Sequence, residues 1–188
     1  MLDRMTNARS VARGVLLGGA IGDALGAIVE FDRDPAVLDA KLGLEPPAAL
    51  PSTTITDDTQ MTLFTAEAIV RTWVRGLTKG IASLTTMSHL AYLRWLRTQS
   101  GSGRDEPRDG DGWLLDQPEL WSARAPGLTC LASLRSGTAG SIEHRINDSM
   151  GCGGVMRTAP IGLVYAPEQA FAFGCGNAAL THGHDNGI

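Results

Sequence analysis

The sequence predicts an all-α protein. Apolar residues recur at helical spacing, glycine and proline gather between those stretches, and no segment alternates in the manner of a half-buried strand. Ser10 to about Leu25 reads as the first helix. Its glycines, Gly14, Gly18, Gly22 and Gly26, fall four apart and share one face. Each costs a helix interior about 1 kcal/mol relative to alanine, so the stripe marks a close approach. Tight packing against another helix is the favoured reading, ahead of ligand contact. Asp23 and Glu30, at and beyond the end of this helix, are the better candidates for chemistry.

Residues 32–55 contain Pro35, Pro46, Pro47 and Pro51 and read as a loop. A second helix is expected from about Asp58 to Val74. Met61, Phe64 and Ala68 form one apolar row, Leu63, Ala66 and Val70 the next, and Gly76 supplies a stop. A third spans about Ile81 to Thr98, with Leu84, Met87, Ala91 and Trp95 on one side. Ser100 to Gly112 is polar and glycine-rich, the composition of a mobile loop. A short helix starts at Arg124-Ala125-Pro126-Gly127 and reaches about Leu134. After a glycine-rich turn at 151–160, a last helix covers about Pro167 to Leu180.

The 188 residues suffice for one domain with a real core, so residues 1–188 are read as a single domain. A net charge of -4 argues against a nucleic-acid or anionic-membrane surface. Cys130, Cys152 and Cys175 are odd in number and form no C-x-x-C pair, which fits a reducing compartment. With no secretory leader and no apolar run long enough for a membrane span, a cytoplasmic protein is expected.

Three clusters are able to carry chemistry. Thr56-Asp57-Asp58-Thr59 places two carboxylates and two hydroxyls at a helix start, the oxygen donors that hard divalent cations take. Asp57 with Gln60, or Thr56 alone, also satisfies helix capping, but adjacent carboxylates repel and a cation would relieve them. Asp148 to Arg157 holds three glycines in four residues, which lets backbone approach an anion such as a diphosphate; the plain alternative is a tight turn. Arg157 pairs with an anion or with a structural carboxylate, the two readings weighing equally. Thr181-His182-Gly183-His184-Asp185 looks like a metal site on paper, yet imidazole suits softer metals than Mg. His182 is therefore read as a hydrogen-bonding pocket residue and His184 as structural or exposed, while His89 and His144 are ordinary.

Gly-Gly-Ala-Ile-Gly-Asp-Ala-Leu-Gly (18–26), Glu30-Phe31, Thr-Asp-Asp-Thr-Gln-Met (56–61), Arg-Ala-Pro-Gly (124–127), Gly-Cys-Gly-Gly-Val-Met-Arg (151–157) and Thr-His-Gly-His (181–184) occur in this order. The ordered set resembles the ADP-ribosylglycohydrolase family, which includes the dinitrogenase reductase-activating glycohydrolases. The resemblance implies an all-α orthogonal helical bundle with a dinuclear Mg or Mn site. It also implies hydrolysis of the bond between ADP-ribose and a protein side chain, commonly arginine. It makes Thr56, Asp57 and Asp58 metal ligands, Asp57 and Asp58 with Glu30 the catalytic group, and Glu30 the residue at the substrate mouth. Ser149, Met150, Gly151, Cys152, Gly153, Gly154 and His182 would surround the ribose and diphosphate.

The family's second acidic motif, Gly-Asp-Thr-Asp-Thr, is not among these 188 residues. The expectation is an N-terminal portion of the family domain, with at most partial metal occupancy and self-association through apolar faces. The competing reading is an ADP-ribose-binding or interaction module without turnover.

Overall fold

The computed structural model describes residues 2–43, 54–100 and 112–188. Among them are six α-helices and no strand: α1 (Leu2–Gly26), α2 (Pro35–Leu42), α3 (Asp57–Lys79), α4 (Leu84–Ser100), α5 (Leu128–Arg135) and α6 (Pro167–Ala179). Short 3-10 turns at Trp113–Asp116, Pro118–Leu120, Val155–Arg157, Ala159–Leu163 and Asp185–Gly187 link them. Residues 101–111 of the segment read as a mobile loop, Ser100 to Gly112, lie outside the described residues, as do Pro46, Pro47 and Pro51.

Helix α3 is the centre of the molecule. The apolar row predicted from its sequence is the buried one: Met61, Phe64 and Ala68 are inaccessible to solvent. They meet Ala91, Tyr92 and Trp95 of α4, Cys130, Leu131 and Leu134 of α5, and Leu114, Leu120 and Leu180 in one core. Burying each large apolar side chain contributes about 1.5–3 kcal/mol. The second row is less buried, and Val70, Trp73, Val74 and Leu77 are exposed. No helix among the described residues is long and apolar enough to cross a membrane.

Several expectations change: α1 begins at Leu2 and not Ser10, α4 at Leu84 and not Ile81, and α5 at Leu128, after the Arg124–Gly127 segment expected to start it. Residues 35–42, read as loop, form α2. Pro35 takes the first helical position, where its missing N–H costs nothing, and the Asp34 carboxylate caps the Ala36 N–H at 2.9 Å. Helix α3 runs past Gly76 to Lys79, because Gly80 adopts the left-handed conformation (φ 73°) and returns its N–H to the Gly76 carbonyl. Finally, the glycine stripe of α1 packs against no other helix: a methyl group at Gly14, Gly18, Gly22 or Gly26 would meet nothing within 4 Å among the described residues. Spacing fixes which residues share a face, and here that face is open.

The core also holds a buried ion pair. Arg94 Nη2 donates to Glu67 Oε2 at 2.7 Å, with Nε adding a second bond, and Glu67 Oε1 accepts from the Leu114 N–H at 3.3 Å. Gly112 passes so close to Glu67 that a Cβ there would run into its carboxylate, and a larger residue would have to displace it. Glu67 thus ties α3 to α4 and to the chain returning at 112–114. Replacing Arg94 by Met leaves Glu67 charged and unpaired in the interior, and is expected to cost about 3–5 kcal/mol in urea denaturation.

Candidate functional site

Helix α1 ends beside the start of α3, and Asp23 joins them. Its Oδ1 accepts from the Thr56 hydroxyl at 2.6 Å. Its Oδ2 accepts from the Thr56 N–H at 2.8 Å, the Thr59 N–H at 3.1 Å and the Thr59 hydroxyl at 2.5 Å. A carboxylate held against a helix N-terminus is stabilised by the unsatisfied N–H groups and by the helix dipole. The cap itself is Thr56, not Asp57 with Gln60 as a capping box. The Gln60 amide is taken up by the Ser122 carbonyl and by Trp95 and Gln99.

The two adjacent aspartates diverge. Asp58 faces a cleft of about 350 Å³ with Glu30, Thr56 and the open Gly19, Gly22 and Gly26 face of α1; Cys152 and Met156 close its far side. Asp57 turns beneath residues 124–127, where its N–H donates to the Arg124 carbonyl at 2.9 Å and its Oδ2 accepts from the Gly127 N–H at 3.0 Å. The two bonds bracket Ala125, a non-glycine residue at φ 50°, a conformation that costs about 1–2 kcal/mol.

Burial first, and mutual repulsion after it, raise the proton affinities of Glu30, Asp57 and Asp58. Burial pushes Asp57 up to about 6, with the charges of Asp58 and Glu30 adding and the Gly127 bond opposing. Asp58 is raised by burial and then by Asp23; exposed Glu30 is raised by desolvation and then by Asp58 and Asp23. No described basic side chain offsets these shifts. The donor chemistry, all oxygen with uncompensated negative charge, suits Mg or Mn. The donor number does not: among the described residues, no three His, Cys, Asp or Glu side chains converge tightly enough to hold an ion.

The glycine turn lies across the cleft from α1 and is tied to α3 by the Thr62 hydroxyl, which donates to the Met156 carbonyl at 3.1 Å. Gly153 and Gly154 are required first by packing. A Cβ on Gly153 would come within 2.8 Å of Cys130 Sγ and of the His182 ring. One on Gly154 would come within 2.5 Å of the Gly187 carbonyl. Met150 and Cys152 are exposed, and Ser149 shares a 3.1 Å hydrogen bond with Thr129.

His182 sits behind this turn with 1% of its surface accessible, against Gly151 and Gly153. Its Nδ1 lies 2.9 Å from the Thr181 hydroxyl. His184 caps the last turn through Nδ1, accepting from the Asn186 N–H. Among the described residues, Arg157 meets no structural carboxylate. Fully buried, it donates to Asn177 Oδ1, the Asn177 carbonyl, the Thr181 hydroxyl and Cys130 Sγ, and its guanidinium lies 4.2 Å from the centre of the Tyr92 ring. Neutral acceptors and an aromatic face replace a counter-anion.

The structure therefore gathers Glu30, Thr56, Asp58 and Cys152 on one cleft. Asp57 is placed under 124–127, and His182 behind the turn. Asn147 escaped sequence reasoning. Its Oδ1 accepts from the Ser149 and Gly183 N–H groups at 3.0 and 3.1 Å, and its amide donates to the Thr181 carbonyl, so it fixes the turn against His182. The Asn-x-Ser spacing of an Asx-turn was the available signal.

Two outcomes follow. Asp23→Ala strands the α3 start and should cost about 3 kcal/mol in urea denaturation. Asp32→Ala, which breaks only the exposed pair with Lys41, should cost under about 1 kcal/mol. The second concerns pH. Burial, and then Arg157, lower the His182 pKa to about 4 from its ordinary 6.5. The unfolded chain takes up this proton first, so the contribution of His182 to stability is present above pH 6.5 and lost as pH falls toward 4. Asp57, with its raised pKa, acts in the opposite sense as pH rises through 6. The difference between wild type and His182→Gln isolates the histidine: the variant's denaturation midpoint should fall less steeply between pH 6.5 and 4.

The family model for ADP-ribosylglycohydrolase matches residues 4–188. No curated protein matches the chain, and no solved structure does. The ordered motifs, the all-α fold and a match over nearly every residue place this chain in the ADP-ribosylglycohydrolase family, whose members are generally metal-dependent hydrolases.

Proposed function

We propose that this chain hydrolyses the glycosidic bond between ADP-ribose and a protein side chain, with arginine as the acceptor. The observation that supports this most is the cleft that Glu30 and Asp58 both line, beside the Asp23-anchored α3 start. Cleavage at an anomeric carbon builds positive charge in the transition state, and carboxylates stabilise it. Glu30, exposed at the cleft and raised in pKa, is placed to exchange a proton with the substrate. Thr56 and Asp58 are the residues that would hold a Mg or Mn ion. Asp57 has one carboxylate oxygen committed to Gly127 and supports the site from behind. A bound divalent cation would supply Lewis acidity and orientation of hydroxyl oxygens.

One observation favours a second reading, an ADP-ribose-binding module without turnover: the described residues do not by themselves complete a metal site. Calorimetry with ADP-ribose, with and without Mn, and release of ADP-ribose from an ADP-ribosylated arginine peptide separate the two. Hydrolysis predicts Mn-dependent release that Glu30→Gln and Asp58→Asn each lower by about a hundredfold or more. Metal-independent binding without release supports the module. Neither binding nor release defeats both readings.

A further inference from the structure

Among the described residues Arg157 is a buried cation with no carboxylate partner, and its hydrogen bonds lead toward the glycine turn. Its Nη2 donates to the Thr181 hydroxyl oxygen at 2.9 Å, and the same oxygen lies 2.9 Å from His182 Nδ1. An arginine only donates, so the Thr181 oxygen accepts from it and keeps its own proton to give. Two acceptors are near that proton. Cys130 Sγ is a weak one and already receives Arg157 Nη1 at 3.6 Å; the imidazole nitrogen is the stronger. Nδ1 is also the ring nitrogen on the guanidinium side, where a lone pair is favoured and an N–H is not. The opposite nitrogen, Nε2, faces Gly151 and Gly153 beside the Ser149 hydroxyl.

We propose that Arg157, acting through the Thr181 hydroxyl, holds His182 as the neutral tautomer protonated at Nε2, so that the ring presents a hydrogen-bond donor at the Gly151 corner of the turn. Arg157 and Thr181 are then positioning residues. The low proton affinity of the ring keeps it neutral at physiological pH, which makes the choice of tautomer the deciding variable. The ligand chemistry this selects is an acceptor oxygen, a hydroxyl or a phosphate oxygen, in place of a donor. That step rests on the reading of residues 149–154 as the border of an ADP-ribose site; the tautomer itself does not.

Long-range proton–nitrogen correlation spectra of the full chain distinguish a protonated from a bare ring nitrogen, and His182→Gln identifies the signal among the four histidines. The wild type is expected to show Nε2 protonated and Nδ1 bare. Thr181→Ser, which keeps the hydroxyl, should preserve that pattern. Thr181→Val, which removes it, should give mixed tautomers and weaken ADP-ribose binding about tenfold, the loss of one hydrogen bond. A wild-type ring protonated at Nδ1 overturns the relay, whether or not Thr181→Val folds, and so does an unchanged tautomer in a folded Thr181→Val. An Nε2-protonated ring that ADP-ribose does not perturb supports the relay and counts against the ADP-ribose reading, so the two fail separately.

Discussion

The Asp23 carboxylate is the constraint on which the rest of the site depends. It accepts four hydrogen bonds from Thr56 and Thr59, and so fixes the end of α1 against the first turn of α3. Everything acidic in the cleft takes its position from that joint. Asp58 reaches the cleft because Thr56 caps the helix, and Asp57, one residue earlier, is rotated by about 100° to the other side. The glycine face of α1 opens onto the cleft because the same joint sets the direction of α1. A cluster of carboxylates at one place is costly. The N-terminus of a 23-residue helix offsets part of that cost with its dipole and with the Thr59 N–H that donates to Asp23.

The opposite wall of the site reverses the charge pattern. Behind the glycine turn stands a buried guanidinium satisfied by an asparagine, a threonine, a thiol and a tyrosine ring. The turn thus separates an acidic side from a basic one, with no ion pair joining them among the described residues. An ion pair across the turn would neutralise both sides and lock the cleft shut. Keeping the charges apart leaves the carboxylates of the cleft to a ligand, while the guanidinium stays buried among its neutral partners.

How much of this was legible in the sequence varies with the kind of information each feature needs. The buried face of α3 was legible because Met61, Phe64 and Ala68 recur at the helical period, and the core uses that row. Helix α2 was obscured by proline composition, although Asp34-Pro35 is itself a helix-start signal. The glycine stripe disclosed its own alignment but not what it faces, since that depends on where α1 sits in the fold. The partners of Arg157 were out of reach: Tyr92, Asn177 and Thr181 are brought to it only by tertiary structure, and neutral acceptors leave no charge pattern to find. The Thr-Asp-Asp cluster was recognisable as chemistry, while the divergence of its two aspartates required the backbone around Arg124 and Gly127.

The close passage of Gly112 over Glu67 has a consequence for how such a chain diversifies. On one side of residues 101–111, Gln99 is bonded to Gln60 of α3; on the other, Leu114 is bonded to Glu67, also of α3. Both anchors belong to the same rigid helix, so the span between them is set by α3 alone. Diversification at position 112 is therefore limited by the seam of α3 and α4: a side chain there enters only by displacing the Glu67 carboxylate that Arg94 and Leu114 hold.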